Sequence, residues 1–198
     1  MPLALSDAER ATRALVKVAG TCRGFVVANP GGRRFVLTAA HCLSQIPLLD
    51  LKLKTFDRLV TSGRRRVTVR CHFADPVADI AVLSPTLVPK SLISDAEPLS
   101  VASPPAGRFT AWLPSLDSEW FPVDVLGSDL AITIMDWPPD KEIKLGMSGS
   151  PILNNVGAAV GIVVLVGRIP PLWEPALTPQ RLPGAVWRDL TGSDAVWR

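Results

Sequence analysis

The sequence predicts an all-β protein built as a pair of antiparallel barrels. Three observations carry that reading. Apolar residues alternate with charged or polar ones in short stretches, as in Leu49-Asp50-Leu51-Lys52-Leu53-Lys54 and Val67-Thr68-Val69-Arg70. That is the period of a strand with one wet face. Turn residues separate the stretches closely, and 19 prolines and 14 glycines in 198 residues punctuate the chain too often for long helices. A segment of little periodicity, Leu83 to Pro105, divides the strands into two sets, as expected of short strands closing into two units.

Taken in order, Ser6-Asp7-Ala8-Glu9 fits a capping box. Residues 1–14 therefore read as an N-terminal packing arm with a short helix ending near Ala14. The first barrel occupies residues 15–84. Leu15 to Val18 is strand-like. Cys22 to Ala28 and Arg34 to Thr38 flank Asn29-Pro30-Gly31-Gly32, a strong turn signal. Phe35-Val36-Leu37 suits a barrel wall. Leu48 to Val60, Val67 to Arg70 and Asp79 to Leu83 complete six strands. Residues 85–106 form the linker. The second barrel, residues 107–182, contains strands at Arg108 to Leu113, Phe121 to Leu126, Leu130 to Met135, Pro151 to Leu153 and Ala158 to Val166. Asn154-Asn155-Val156-Gly157 turns between the last two. Residues 183–198 form a C-terminal tail.

Composition excludes several function classes. Apolar residues make up 47% of the chain, which places it among globular proteins. The net charge of +3 is mild, and Arg64-Arg65-Arg66 lacks aromatic neighbours. It reads as a solvated edge, and no nucleic-acid partner is expected. No apolar run reaches transmembrane length, so no membrane partner is expected. The start of the chain lacks the basic and apolar regions of a signal peptide, which predicts a cytoplasmic protein. His41-Cys42 and Cys71-His72 each juxtapose two soft ligands. Neighbours on a strand face opposite ways, so each pair delivers one ligand easily, and no metal or other cofactor is expected.

Three segments carry the chemistry: Thr38-Ala39-Ala40-His41-Cys42, then Ala78-Asp79-Ile80-Ala81-Val82-Leu83, then Gly146-Met147-Ser148-Gly149-Ser150-Pro151. A serine hydroxyl is a poor nucleophile at neutral pH. It needs an imidazole to take its proton, and the imidazole needs a carboxylate to fix its tautomer and steady its charge. His41 is the candidate base, with Ala39 and Ala40 small enough for a tight turn. Asp79 is the candidate orienter, followed by an apolar strand that would hold it; Asp75 is its rival. Ser148 is the candidate nucleophile. Gly146 and Gly149 permit backbone conformations closed to other residues. The stretch Gly146, Met147, Ser148 is the candidate oxyanion hole, with the amides of Gly146 and Ser148 as its donors. An α/β-hydrolase elbow would require the order Ser, Asp, His, which this chain does not have.

From Val16 to Gly167 these segments, in the order His, Asp, Ser, resemble those of the chymotrypsin-like serine peptidases. Their short spacings are similar to compact bacterial members such as the high-temperature-requirement proteases and glutamyl endopeptidases. The resemblance implies two six-stranded Greek-key barrels with the active site between them, and a serine endopeptidase acting on a protein or peptide substrate. It also implies a place for a Cys22–Cys42 bridge, although a reducing cytosol would keep both as thiols; Cys71 is then a core residue. Members activated by cleavage carry an aspartate before the serine. Met147 stands there instead, which predicts no activation by N-terminal trimming. Glutamyl-specific members place a histidine on the pocket strand, and Val160 to Val166 has none. The pocket candidates are Glu142, Val164, Leu165 and Val166. Flanking Lys141 and Lys144 suggest that Glu142 is solvated, and Val166 would narrow the entrance, favouring a small or medium aliphatic side chain. Short relatives of this kind often act as bacterial effectors, with a regulatory or signalling module fused or encoded beside them as partner. The alternative is a latent or inactive protease-like binding module that acts only with a partner.

Overall fold

The computed structural model describes residues 3–43, 55–61, 66–85, 96–128, 131–164, 174–177 and 186. One helix, α1 (Leu5–Ala14), precedes two closed six-stranded barrels. The first contains β1 (Leu15–Val18), β2 (Cys22–Ala28), β3 (Arg34–Thr38), β4 (Thr55–Thr61), β5 (Arg66–Asp75) and β6 (Ile80–Pro85). Around the barrel they run β1-β2-β3-β6-β5-β4. The second contains β7 (Gly107–Pro114), β8 (Trp120–Gly127), β9 (Ala131–Asp136), β10 (Pro151–Leu153), β11 (Ala159–Val163) and β12 (Glu174–Leu177), in the order β10-β11-β12-β9-β8-β7. All ladder pairs are antiparallel. Both barrels share one connectivity: in each, the third strand pairs with the sixth, which is the Greek-key crossing.

Side-chain alternation explains why the site lies between the barrels. On β2, β3 and β6, Val26, Val36, Ala81 and Leu83 point into the first barrel. The alternate residues Phe25, Val27, Phe35, Leu37, Ile80 and Val82 form a second layer, against Leu153, Ala159 and Ile162 of the other barrel. Strands apolar on both faces are strands buried on both faces, hence the unbroken run Phe35-Val36-Leu37. In contrast, β8 has one wet face: Phe121, Val123 and Val125 are buried while Pro122, Asp124 and Leu126 are exposed. The linker is stitched into this seam. Leu99 N–H donates to the Val26 carbonyl (2.8 Å), and Ala102 N–H donates to the Ala159 carbonyl (3.0 Å).

Several elements differ from the sequence expectation. The helix starts at Leu5, with Ala4 at its cap and no side-chain cap bond, so Ser6 does not form the expected box. Instead Trp120 Nε1 donates to Thr12 Oγ1 (3.0 Å), tying the helix to the second barrel. The sixth strand of the second barrel, β12, was implied by the six-stranded fold but not located, because four residues containing Pro175 carry no strand pattern; its place between β11 and β9 is set by pairing partners. Strand β5 runs on to Asp75 through a register shift at Cys71/Phe73. The alternating stretch from Leu48 to Lys54, and Arg64 and Arg65, lie outside the described residues. Cys71 is free and buried, and burial pushes its thiol pKa up.

Candidate active site

After β3 the chain bends into a single 3-10 turn, Ala40–Leu43. Ala39 and Ala40 are buried against the barrel, their small side chains packed inside the bend. The bend aims three groups at Asp79. Ala40 N–H donates to the Asp79 carbonyl (3.1 Å). His41 N–H donates to Asp79 Oδ1 (2.7 Å). The His41 ring meets Oδ2 through Nδ1 (2.7 Å). A carboxylate only accepts, so Nδ1 carries the proton and neutral His41 presents a bare lone pair at Nε2. The hydrogen bond to Asp79 raises the His41 pKa; partial burial lowers it, and the Asp79 charge raises it again. The ring is 42% exposed, so solvent can reach it.

Asp79 itself sits at φ +50°, in the left-handed region that non-glycine residues seldom enter. Its former rival explains how it gets there. Asp75 Oδ1 accepts the N–H groups of Val77 (2.8 Å) and Ala78 (2.9 Å). Asp75 is thus the turn residue that delivers Asp79 to His41.

Ser148 is 3% exposed. Its loop is fixed by backbone bonds on both sides. Arg23 N–H donates to the Ser148 carbonyl (2.8 Å), Gly149 N–H to that of Val163 (2.8 Å), and Ser150 N–H to that of Met147 (2.9 Å). Gly149 has φ +84°, and a Cβ there would collide with the Arg23 carbonyl and meet Thr38 Oγ1 at 2.6 Å. Met147 N–H donates to the Lys144 carbonyl (3.1 Å), with Gly146 at φ +96° and Leu145 outside the positive-φ region. Lys144–Met147 is therefore a type II turn. Met147 keeps its amide in that turn, so it drops out of the expected oxyanion hole. Among the described residues no acceptor takes the Gly146 or Ser148 amide.

Cys42 joins the two halves of the site. Its sulphur lies 3.9 Å from His41 Nε2 and 3.8 Å from the Ser148 carbonyl oxygen. It is bonded to Cys22, the two Cα atoms being 5.7 Å apart, at the place the resemblance implied. The expectation that His41 and Cys42 face opposite ways fails, because they stand on a 3-10 turn and not on a strand. Cys22, His41 and Cys42 bring their ligand atoms within 4.8 Å of one another, but the two sulphurs are joined to each other.

Of the pocket candidates, Glu142 is an exposed carboxylate paired with Lys144 (3.3 Å). Val164 is buried and packs with the first barrel's core. Leu165 and Val166 lie outside the described residues. One residue of the site escaped the sequence reading altogether. Arg23, whose amide holds Ser148, is buried; the only signal was a charge at the head of the apolar run Cys22 to Ala28.

No protein-family model matches the chain, and no curated protein matches it in sequence. Solved structures do. The chain is similar to the Rv3671c protease in an inactive form, with a TM-score of 0.58 and 18% identity, over 90% of this chain and 94% of that one. It is similar to the serine protease of a human pathogenic astrovirus, with a TM-score of 0.58 and 13% identity, over 87% of this chain and 94% of that one. The shared architecture, with its paired Greek-key barrels, establishes that this chain has the two-barrel fold of the chymotrypsin-like proteases.

Proposed function

We propose that the protein is a serine endopeptidase using Ser148, His41 and Asp79. Ser148 Oγ attacks the carbonyl carbon of a peptide bond as His41 Nε2 takes the hydroxyl proton. The carbonyl oxygen becomes an oxyanion and accepts hydrogen bonds from the Gly146 and Ser148 amides. Collapse breaks the C–N bond, and His41 gives its proton to the departing amine. Water then attacks the acyl-Ser148 ester, His41 taking and returning the proton a second time. Asp79 keeps Nδ1 protonated throughout and steadies the imidazolium.

The observation that supports this reading most is the double grip of Asp79, 2.7 Å to both the backbone amide and the ring of His41. It leaves one tautomer, the one that can take a proton at Nε2. A fluorophosphonate probe tests the proposal. Ser148 should be the labelled residue, and Ser148→Ala should lose both the label and about 10⁶-fold in turnover while remaining folded. A folded wild-type chain that takes no label would instead favour the latent binding module.

A further inference from the structure

The loop that carries Ser148 must be fastened without an ion pair at the residue before the serine. Met147 has no charge to offer, and its sulphur accepts the Lys144 amide (3.2 Å) inside the loop. Among the described residues a single charged residue is buried, Arg23, at 7% exposure. It lies in the seam beside this loop. Its guanidinium crosses from β2 to the turn joining β7 and β8. There it donates to the carbonyls of Ser115 (2.6 Å) and Leu116, with that of Pro114 at 3.5 Å. Among the described residues no carboxylate is in ion-pair contact with it, and Asp117 in the same turn supplies a favourable charge. Burial lowers its pKa and Asp117 raises it, but a guanidinium stays charged. A buried cation is costly unless its donors are met, and here a row of carbonyls meets them through the planar fork that only arginine has.

The backbone of the same residue grips the loop from the other side. Its N–H holds the Ser148 carbonyl (2.8 Å), and its own carbonyl fills the space beside Gly149 while accepting Thr38 Oγ1 (2.6 Å). The turn that the guanidinium holds also brings Leu116 beside Gly146, Cδ2 lying 3.5 Å from where a Cβ would stand. Arg23 thus touches Ser148 and Gly149 directly, and the turn it holds lies next to Gly146. We propose that Arg23 is a positioning residue, a latch between the barrels that fixes the oxyanion turn in place of a charge at position 147. The proposal rests on the serine peptidase reading of the site.

Arg23→Met and Arg23→Lys test it by two readouts. The first is kinetic: Arg23→Met should lower kcat and the labelling rate of Ser148 about 10- to 100-fold, with KM changed by less than about threefold. Arg23→Lys, which keeps a cation but not the fork, should fall between it and wild type. The second is hydrogen exchange at Ser118 and Glu119, whose amides are bonded within the turn. These should exchange about tenfold faster in Arg23→Met, while barrel amides such as those of β3 and β6 keep their protection. A folded Arg23→Met with wild-type kcat and turn protection overturns the proposal, as does a loss shared equally by turn and barrel amides. If Arg23→Met does not fold, the same readings on Arg23→Lys decide, and wild-type values there overturn it. If wild type takes no label, the peptidase reading fails and the exchange data alone judge the latch.

Discussion

Asp79 uses one carboxylate for two purposes, and a single atom exchange separates them. In Asp79→Asn one oxygen remains to accept the His41 backbone amide, and an NH₂ group then faces Nδ1. Nδ1 must become the acceptor, the ring proton moves to Nε2, and the base is lost to the serine. We expect kcat at neutral pH to fall about 10⁴-fold, with the chain still folded. The His41 titration, followed by ring-proton NMR, should move to lower pH, because the interactions that raise its pKa come from Asp79. In wild type the acid limb of kcat/KM should follow that raised pKa, since only neutral His41 acts as a base. The stability linkage has the opposite direction. A raised folded-state pKa favours the protonated pair, so its contribution is full below the unfolded value of about 6.5 and is lost as pH rises through the folded value. An unmoved His41 titration in Asp79→Asn would contradict this account. The pairing of His41 with Asp79 was legible in the sequence because each stands in a segment whose small or apolar neighbours have one purpose. Arg23 and Asp75 were not, because a charge at a strand end looks alike whether it dissolves in water or holds carbonyls and amides.

Two glycines three positions apart show how an element can divide fold from rate. At Gly149 any Cβ meets backbone, the Arg23 carbonyl, which is held in strand β2 and by Thr38 Oγ1. At Gly146 a Cβ would stand 3.1 Å from the Thr21 carbonyl and 3.5 Å from Leu116, close but bearable. The cost there is conformational, since φ +96° is the signature of the type II turn. Alanine would shift the turn toward type I, which flips the middle peptide and turns the Gly146 N–H away from the oxyanion. Gly149→Ala should therefore lose about 3 kcal/mol or more of stability, read from the denaturant midpoint. Gly146→Ala should lose about 10²- to 10³-fold in kcat for about 1 kcal/mol of stability. Similar stability losses at both positions would refute the distinction. Elements with a clear local pattern were readable in the same way: the unbroken apolar runs of β2, β3 and β6 and the alternation of β8 declare which faces are buried. The capping box at Ser6 was misread, and the strand β12 was not located, because nearby sequence did not decide them. Docking against Trp120 sets the helix, and partners on both sides set a strand of four residues around a proline.

At the scale of the whole molecule, the seam between the barrels is as much a core as either barrel interior, and α1 is part of it. Ala11 and Ala14 are fully buried there, in one cluster with Phe25, Leu37, Leu153 and Ile162. Arg13 adds an exposed ion pair to Glu97 (2.7 Å), worth little beside the packing. Asp7 and Arg10 close over Gly157, where a Cβ would sit 3.0 Å from each side chain. A segment packed like this supports the site and does not mask it. Trimming to Leu15 would free an ammonium at the first residue of β1, where Leu15 pairs with Phe25 and Val16 with Gly24. Reaching the Ser148 loop would mean leaving that ladder, and Met147 has no carboxylate to receive the charge. Removal of residues 1–14 should therefore lower Tm by roughly 5 °C or more and leave Ser148 labelling at or below the full-length rate. A labelling rate that rises on trimming would show that the loop awaits a new N-terminus after all.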